Sequence, residues 1–368
     1  MRWVKWIGVI LAITFSVGAE PTLPTEIISR PEVVAPEQLN APPTQAVPDE
    51  PESPKHSFAP IAGYNPTYKV FFGAGYFLTA PPINFGTHFV ITFDRVYQIM
   101  TRFKHSLNDR WSYGFDVEYS SGFDPYYGEG GETSAGSLVN IFGTKILTTA
   151  RLAYHHNEHV TVGPLFNFRL RRETDVNGDA NIRLFPDSES GGFGLFQRLD
   201  YRDNEDFPHS GFFQESSFYI VPKALISLAG QDHFAQGDLD LAFYHEIQGD
   251  FVIAAKFQGG FSLGQPNYLY SFRIGGTDLL RGYLENRFRG RHFYLQQTEA
   301  RFPLWSIFSG AAFVGFGDAT NDVLTSTKIA WGGGIRIGLP PDYVKVARID
   351  VGFGKDQFGV FLDFGQSF

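Results

Sequence analysis

The stretch Trp111-Ser112-Tyr113-Gly114-Phe115-Asp116-Val117-Glu118-Tyr119 alternates large apolar residues with small or polar ones. Successive side chains of a β-strand point to opposite faces, so one face here is aromatic apart from Val117, and the other carries Asp116 and Glu118. A soluble β-sandwich would turn the polar face to water, whereas an outer-membrane barrel turns the apolar face to lipid and the polar face to a wet lumen. The alternation predicts a strand, and both folds remain open at this point.

The rest of the composition favours the barrel. The 368 residues include 40 Gly, 38 Phe and 17 Tyr but no Cys, which excludes disulfides, thiolate metal sites and a cysteine nucleophile. After the first residues no helical run of about 20 apolar residues occurs, which argues against a helical membrane protein. Aromatic residues at strand ends match the interfacial girdles of a bilayer. A transmembrane β-barrel meets all these conditions.

Sixteen segments follow strand patterns, and an even number is usual for single-chain bacterial barrels. They lie at roughly 69–78, 86–94, 97–106, 111–120, 135–145, 148–156, 159–170, 192–203, 211–221, 236–247, 251–262, 291–302, 308–317, 329–338, 346–354 and 358–368. The sequence therefore predicts an all-β fold, a sixteen-stranded antiparallel transmembrane β-barrel. We assign this domain to residues 58–368, with the first strand starting near Tyr68.

The amino-terminal part has the features of a targeting region. In residues 1–19, Arg2 and Lys5 precede an apolar segment that ends in small residues, as in a cleavable secretory signal peptide. Its removal would change the net charge from −9 to −11, and so acidic a chain is a poor nucleic-acid binder. Residues 20–57 contain nine prolines and no apolar period, which predicts a disordered periplasmic tether. A partner-binding tail is the alternative for this segment.

Several motifs follow one another in an order that resembles a known family. They are Tyr126-Tyr127-Gly128-Glu129-Gly130, Asp200-Tyr201-Arg202-Asp203-Asn204, Leu280-Arg281-Gly282-Tyr283, Glu299-Ala300-Arg301-Phe302-Pro303 and Arg348-Ile349-Asp350-Val351-Gly352. The set is similar to the superfamily of outer-membrane assembly and secretion barrels that includes BamA, TamA and the two-partner secretion transporters, also called the bacterial surface antigen family. The resemblance implies the bacterial cell outer membrane as the location. It also implies that the loop motif, Leu280 to Tyr283, folds back into the barrel.

Two departures from the family pattern limit what the resemblance implies. The usual Phe-x-Asp-x-Gly pattern reads Phe316-Gly317-Asp318-Ala319-Thr320, so its last glycine is replaced while Asp318 remains. Only the tether precedes the predicted barrel, so the chain resembles a short member without the periplasmic POTRA domains that capture clients. A separate partner would then have to supply the client.

The residues around Arg281 allow a physical test of the loop motif. A guanidinium inside a closed lumen needs acceptors, because burying an unpaired charge costs several kcal/mol. The alternation of the strand places Glu299 on the same side as Gln297 and Arg301, and Asp318 ends the following strand. Glu299 and Asp318 are therefore the expected lumen partners of Arg281. The alternative is a solvated surface loop whose arginines, Arg281, Arg287, Arg289 and Arg291, face water or lipopolysaccharide.

The end of the chain resembles an insertion signal. The last strand closes on Phe364-Gly365-Gln366-Ser367-Phe368, and terminal aromatic residues such as Phe364 and Phe368 resemble the signal by which outer-membrane barrels are recognised for insertion. The expected partners are thus outer-membrane lipid and lipopolysaccharide, the barrel-assembly machinery for the insertion of this chain, and a periplasmic or secreted protein client.

Other residue groups carry weaker signals for metals or catalysis. His155, His156 and His159 lie at a turn whose neighbouring positions face opposite ways, and the calcium-like run from Asp175 has Pro186 where an acidic ligand is needed. The motif Gly260-Phe261-Ser262-Leu263-Gly264 lacks the helix that a nucleophile elbow requires. The triplet Gly332-Gly333-Gly334 precedes no helix that could aim amides at a phosphate, so it indicates close strand packing or a bulge beside the folded-in loop. No cofactor, metal or catalytic residue is predicted.

Two transport functions remain open on the sequence alone. In the first, the barrel assists the insertion or translocation of a macromolecular client, opening between its first and last strands or through its lumen. In the second, it is a passive diffusion pore for small solutes that the arginine loop gates. An outer-membrane enzyme is the third class, and it would require a hydroxyl, an imidazole and a carboxylate in one cleft.

Overall fold

A closed β-barrel forms the structure. The computed structural model describes residues 54–205, 207–222, 233–321, 326–339, 346–364 and 366–368, so the predicted signal peptide and nearly all of the predicted tether lie outside the described residues. Sixteen strands, β1–β11 and β14–β18, pair antiparallel with their neighbours around the barrel, and β12 and β13 form a separate hairpin. The described residues contain no helix that is long and apolar enough to cross a membrane.

The strands vary in length around the barrel. Their bounds are β1 Lys55–Asn65, β2 Lys69–Ala80, β3 Ile83–Thr92, β4 Tyr97–Ser106, β5 Trp111–Tyr126, β6 Val139–His155, β7 Val160–Val176, β8 Ser188–Asp200, β9 Gly211–Val221, β10 Phe234–Gln248, β11 Phe251–Gly264, β12 Phe272–Ile274, β13 Phe288–Gly290, β14 His292–Trp305, β15 Phe308–Thr320, β16 Lys328–Gly338, β17 Val346–Gly354 and β18 Gln357–Phe364. A short 3-10 turn at Ala135–Ser137 lies in the connection between β5 and β6.

Alternation along each strand sorts the side chains between the two faces of the wall. On β14, Leu295, Gln297, Glu299 and Arg301 are buried towards the lumen, and the residues between them face outward. Large apolar side chains such as Leu195 and Trp331 are exposed on the outer face of the wall. This is the inverted arrangement of a transmembrane barrel, and the predicted sixteen-stranded barrel is confirmed.

The strand count is correct although two strand assignments were wrong. The strand β1 lies between Lys55 and Asn65, a segment for which no strand was expected because it follows the proline-rich run and contains Pro60. A proline is tolerated there because β1 has one poorly paired edge. The predicted strands 135–145 and 148–156 form the single 17-residue strand β6, which is longer than the 9–11 residues that a bilayer requires.

The two ends of the barrel differ in their connections. The longest connections, including residues 127–138, 177–187 and 265–291, lie at one end, which we call the loop end, whereas residues 201–210 form a ten-residue connection at the other end. The opposite end, which we call the turn end, has short connections such as residues 107–110, 156–159 and 249–250. Because residues 265–291 connect the two neighbouring strands β11 and β14, their length exceeds what the connection requires.

Candidate functional site in the barrel lumen

The long connection at 265–291 folds into the barrel. Its hairpin of β12 and β13 leads to the loop motif Leu280-Arg281-Gly282-Tyr283. Leu280 is fully buried against a cluster that includes Ile274, Phe288 and Leu295. Tyr283 donates its hydroxyl proton to the Ile329 carbonyl at 3.2 Å. The loop motif therefore lies against the inner wall of the barrel.

Arg281 is held by two carboxylates and an aromatic ring. Its Nη2 lies 2.6 Å from Oε2 of Glu299, and its Nη1 lies 2.7 Å from Oδ2 of Asp350. The guanidinium also lies over the Phe313 ring, 3.7 Å from the ring centroid. With the residue only 1% exposed, these three contacts provide the acceptors and the π-face that a buried guanidinium needs.

Glycines let the loop motif lie directly on the wall. A Cβ atom at Gly352 would lie 2.7 Å from the carbonyl carbon of Arg281, and one at Gly354 would lie 2.7 Å from the Tyr283 ring. Gly282 has a φ of +130°, a conformation that favours glycine. Gly332 faces the lumen beside the Phe313 ring, so the triplet at 332–334 includes a position that needs close packing.

A wider charge network continues from these contacts along β14–β18. Glu299 also meets Arg301 at 3.0 Å and Arg336 at 3.4 Å. Asp350 also meets Arg336 at 2.5 Å. Arg348 pairs with Asp350, Asp363 and Asp278, the last of which lies on the loop two residues before the motif. The network thus contains four arginines and four carboxylates, so its charges balance.

The structure brings Glu299 to Arg281 but does not bring Asp318 there. Asp318 lies near the loop end of β15, where its carboxylate is 3.6 Å from Lys328 and accepts the Ala319 N–H at 2.9 Å. The register pairs Glu299 with Phe313, so Asp318 is five residues further along β15, or roughly 16 Å away. Asp350 takes the place expected for Asp318. The signal for it was the alternation of Arg348 and Asp350 on β17.

The end of the chain also meets this network. Phe364 is the last residue of β18, and Gln366, Ser367 and Phe368 are buried. Phe368 is buried in a cluster with Phe213, Tyr244 and other residues near the turn end. Arg301 donates a hydrogen bond to the Phe368 backbone oxygen at 2.5 Å. The role of Phe364 and Phe368 as an insertion signal stays a prediction.

A second charge cluster holds the base of the loop on the opposite wall. Asp124 of β5 lies 3.4 Å from Lys145, 3.5 Å from Arg273 and 3.7 Å from Arg289. Arg289 is 1% exposed and lies over the Tyr268 ring at 3.8 Å, and Tyr268 donates to Asp124 at 2.8 Å. Arg287 is buried as well. The surface-loop alternative is therefore wrong for Arg281, Arg287 and Arg289.

The other candidate groups are part of the ordinary strand and turn structure. Asp175 accepts the Gly178 N–H at 2.8 Å within a tight turn, and Ser262 accepts a hydrogen bond from Gln236 at 3.2 Å. Ser112 lies 2.8 Å from Nε2 of His155, and the other nitrogen of His155 lies 3.0 Å from the Thr161 hydroxyl. A hydroxyl and an imidazole do meet there, but Thr161 occupies the place that a carboxylate would need to complete a triad.

These features together define a class of protein. The barrel is closed, its outer face exposes large apolar side chains, and its lumen is lined with charges. Unpaired backbone groups and open sheet edges are not tolerated in lipid, which is why closed barrels span membranes. The molecule is thus a transmembrane β-barrel of the bacterial outer membrane.

Comparison with known proteins places this barrel in a family. Residues 72–354 match the model of the Omp85 superfamily domain, and the chain belongs to this superfamily. The resemblance stated above for the sequence motifs is thereby confirmed. By sequence, no curated protein gives a significant match.

Solved structures with a similar fold include BamA and CdiB. A BamA from Haemophilus ducreyi lacking POTRA domains 1–3 superposes with a TM-score of 0.61 at 10% identity, over 85% of this chain and 69% of that one. CdiB from Acinetobacter baumannii superposes with a TM-score of 0.59 at 11% identity, over 85% of this chain and 59% of that one. CdiB from Escherichia coli superposes with a TM-score of 0.59 at 10% identity, over 87% of this chain and 62% of that one. This chain thus spans about three fifths of either CdiB chain.

Proposed function

We propose that the barrel assists the insertion or translocation of a macromolecular client by opening between β1 and β18, with separate partners supplying the client. The observation that carries this proposal is the pairing of these two strands. Among the described residues, β1 and β18 are joined at one register pair, Tyr64 with Leu362. Every other neighbouring pair of barrel strands has at least eight such pairs.

A weakly paired seam is a suitable place for a strand to be added. The backbone N–H and C=O groups along a free strand edge can bind an incoming strand, which then extends the sheet. In a bilayer the drive to satisfy such groups is strong, because no water is present to bind them. A β-strand of a client could therefore pair with the edge of β1 or β18.

The proposal includes an orientation and a set of partners. The loop end would face the cell exterior and the turn end the periplasm. The predicted tether, shortened to the residues before β1 because β1 begins at Lys55, would lie in the periplasm. Membership of the Omp85 superfamily supports this orientation, as do the long connections at one end of the barrel. The client itself would be a periplasmic or secreted protein.

Reconstitution in lipid vesicles tests the proposal. An unfolded outer-membrane barrel is added to vesicles with or without the purified protein, and its folding is followed by heat-modified gel mobility. We expect the protein to accelerate client folding several-fold when a periplasmic holdase presents the client. Equal folding in both preparations, together with rapid efflux of a small solute, would contradict the proposal and favour the loop-gated diffusion pore.

A further inference from the structure

The long loop contacts both sides of the weakly paired seam. Leu284 and Glu285 are adjacent residues just after the loop motif. The Leu284 N–H donates to Oε1 of Gln357, the first residue of β18, at 3.3 Å. The Glu285 N–H donates to the hydroxyl of Thr67, in the turn between β1 and β2, at 3.2 Å. Two consecutive peptide groups thus span the gap between the first and last strands of the barrel.

Side chains add a second layer to this bridge. On the β1 side, Nδ2 of Asn65 donates to the Glu285 carboxylate at 3.1 Å and lies 3.5 Å from the Thr277 hydroxyl. Asn65 is itself fixed, because its Oδ1 accepts the Thr67 N–H at 2.7 Å. On the β18 side, Asp278 meets Arg348 at 3.0 Å, and Arg348 binds Asp363 of β18.

We infer that Thr277, Asp278, Leu284 and Glu285 form a clasp that holds the β1–β18 seam closed at the loop end. The inference rests on the proposed function, because it assigns to the loop the control of the opening through which that function would act. Among the described residues, direct pairing contributes one residue pair to the seam, whereas the clasp contributes contacts to each of the two strands or their adjoining turn. When the loop moves, both sets of contacts are lost together.

The chemistry of Glu285 suits a contact that remains neutral. Glu285 lies on the loop, outside the spanning strands, and burial raises the pKa of its carboxyl to about 8 although the hydrogen bond from Asn65 lowers it. Near pH 7 the carboxyl is therefore mostly protonated and still offers an oxygen to Asn65. Replacement by glutamine keeps the same acceptor, whereas replacement by alanine removes it.

Distances across the seam test the clasp directly. Because the chain has no cysteine, spin labels can be attached at Val70→Cys and Phe358→Cys alone, two sites that are 45% and 68% exposed on opposite sides of the seam. Pulsed electron resonance then reports the distance between them. We expect one distance in this labelled parent. Two variants should each add a second population in which the distance between the labels is longer by about 5 Å or more, the spacing of one strand. One is the double variant Thr67→Val with Glu285→Ala, and the other is Gln357→Ala alone.

Two controls keep the test decisive. Glu285→Gln should behave as the parent does. Glu129→Ala removes a similar contact away from the seam, where Asn321 donates to Glu129 at 2.8 Å, and it should leave the distance unchanged. Gln357→Ala removes only one side-chain acceptor, so heat-modified mobility should show a folded barrel even where the double variant fails to fold.

The outcomes separate the clasp from the proposed function. If a folded Gln357→Ala variant shows only the label-to-label distance of the parent, the clasp is overturned, whatever the client assay shows. If the clasp variants show a population with a longer distance between the labels, but the barrel does not accelerate client folding, the clasp is supported and the proposed function is contradicted. A longer population in Glu129→Ala as well would overturn the clasp, because any loop change would then open the seam.

Discussion

At its tip the long loop places one arginine, Arg281, between two carboxylates, whereas at its base Arg273 and Arg289 share the carboxylate of Asp124 with Lys145. At the tip, the network has equal numbers of positive and negative charges, and its contacts to Arg281 are short. The base cluster has longer ion contacts to Asp124, and the ring and the backbone carbonyl of Tyr268 supplement them. A buried guanidinium can therefore be accommodated in two ways, and only the first depends strongly on one arginine and its carboxylates.

Loss of Arg281 should have the largest effect. Arg281→Ala removes the two shortest contacts of its guanidinium, to Glu299 and Asp350, and leaves four carboxylates with three arginines in a buried network. Breaking a buried ion pair costs about 3–5 kcal/mol. We expect the free energy of unfolding to fall by that amount and the loop to become sensitive to protease. Urea titration followed by heat-modified gel mobility measures the change. The variants Asp350→Ala and Asp318→Ala complete the test, because Arg281 should couple to Asp350 and be additive with Asp318.

Crowding at the wall should have a smaller effect in the same direction. Gly352→Ala places a methyl group 2.7 Å from the Arg281 backbone, so the loop motif must move away from β17. Overpacking of this kind costs about 1–3 kcal/mol. Gly333→Ala on the same sheet is the matched control, since its nearest contact is at 3.1 Å. Equal stability of the two variants would show that the loop motif does not rest on β17.

Loss of Arg289 should cost less than loss of Arg281. Arg289→Ala removes a hydrogen bond to the Tyr268 carbonyl at 2.8 Å and a cation–π contact, but Asp124 keeps Lys145 and Arg273. These contacts are worth about 1–2 kcal/mol together. The same urea titration measures the difference from Arg281→Ala. A loss as large as that of Arg281→Ala would remove the contrast between tip and base.

An exposed loop arginine should have the smallest effect. Arg183 pairs with Asp187 at 3.5 Å, and its side chain is 53% exposed. Exposed pairs contribute about 0–1 kcal/mol. Arg183→Ala should therefore match the parent in both stability and protease resistance. A large loss of stability would mean that the connections at the loop end contribute more than their exposed contacts indicate.

The sequence predicts those parts of the architecture that depend on the local alternation of apolar and polar residues. Alternation at period two predicts the strands and places Glu299 and Arg301 on the same face of β14, which is the lumen side in the structure. It did not give Asp350 as a partner of Arg281, because β17 is three strands away from β14 and the register between distant strands depends on the closure of the whole barrel.

The ends of the strands were harder to predict than their cores. The strand β6 was divided because the length expected for a spanning strand was applied to a strand of 17 residues. The strand β1 was not predicted: its first three residues fall in the segment assigned to the tether, it contains Pro60, and its pairing with β18 leaves almost no trace in local sequence. The weakest element in the sequence pattern thus lies at the seam on which the proposed function depends.

A reversible cross-link across the seam tests the central claim most directly. Tyr64→Cys and Leu362→Cys join the one described register pair of β1 and β18, and the chain offers no competing thiol. Client folding is measured in the same vesicles after oxidation and again after reduction. We expect oxidation to abolish the acceleration of client folding and reduction to restore it. Equal client folding by the cross-linked and reduced barrels would contradict the account.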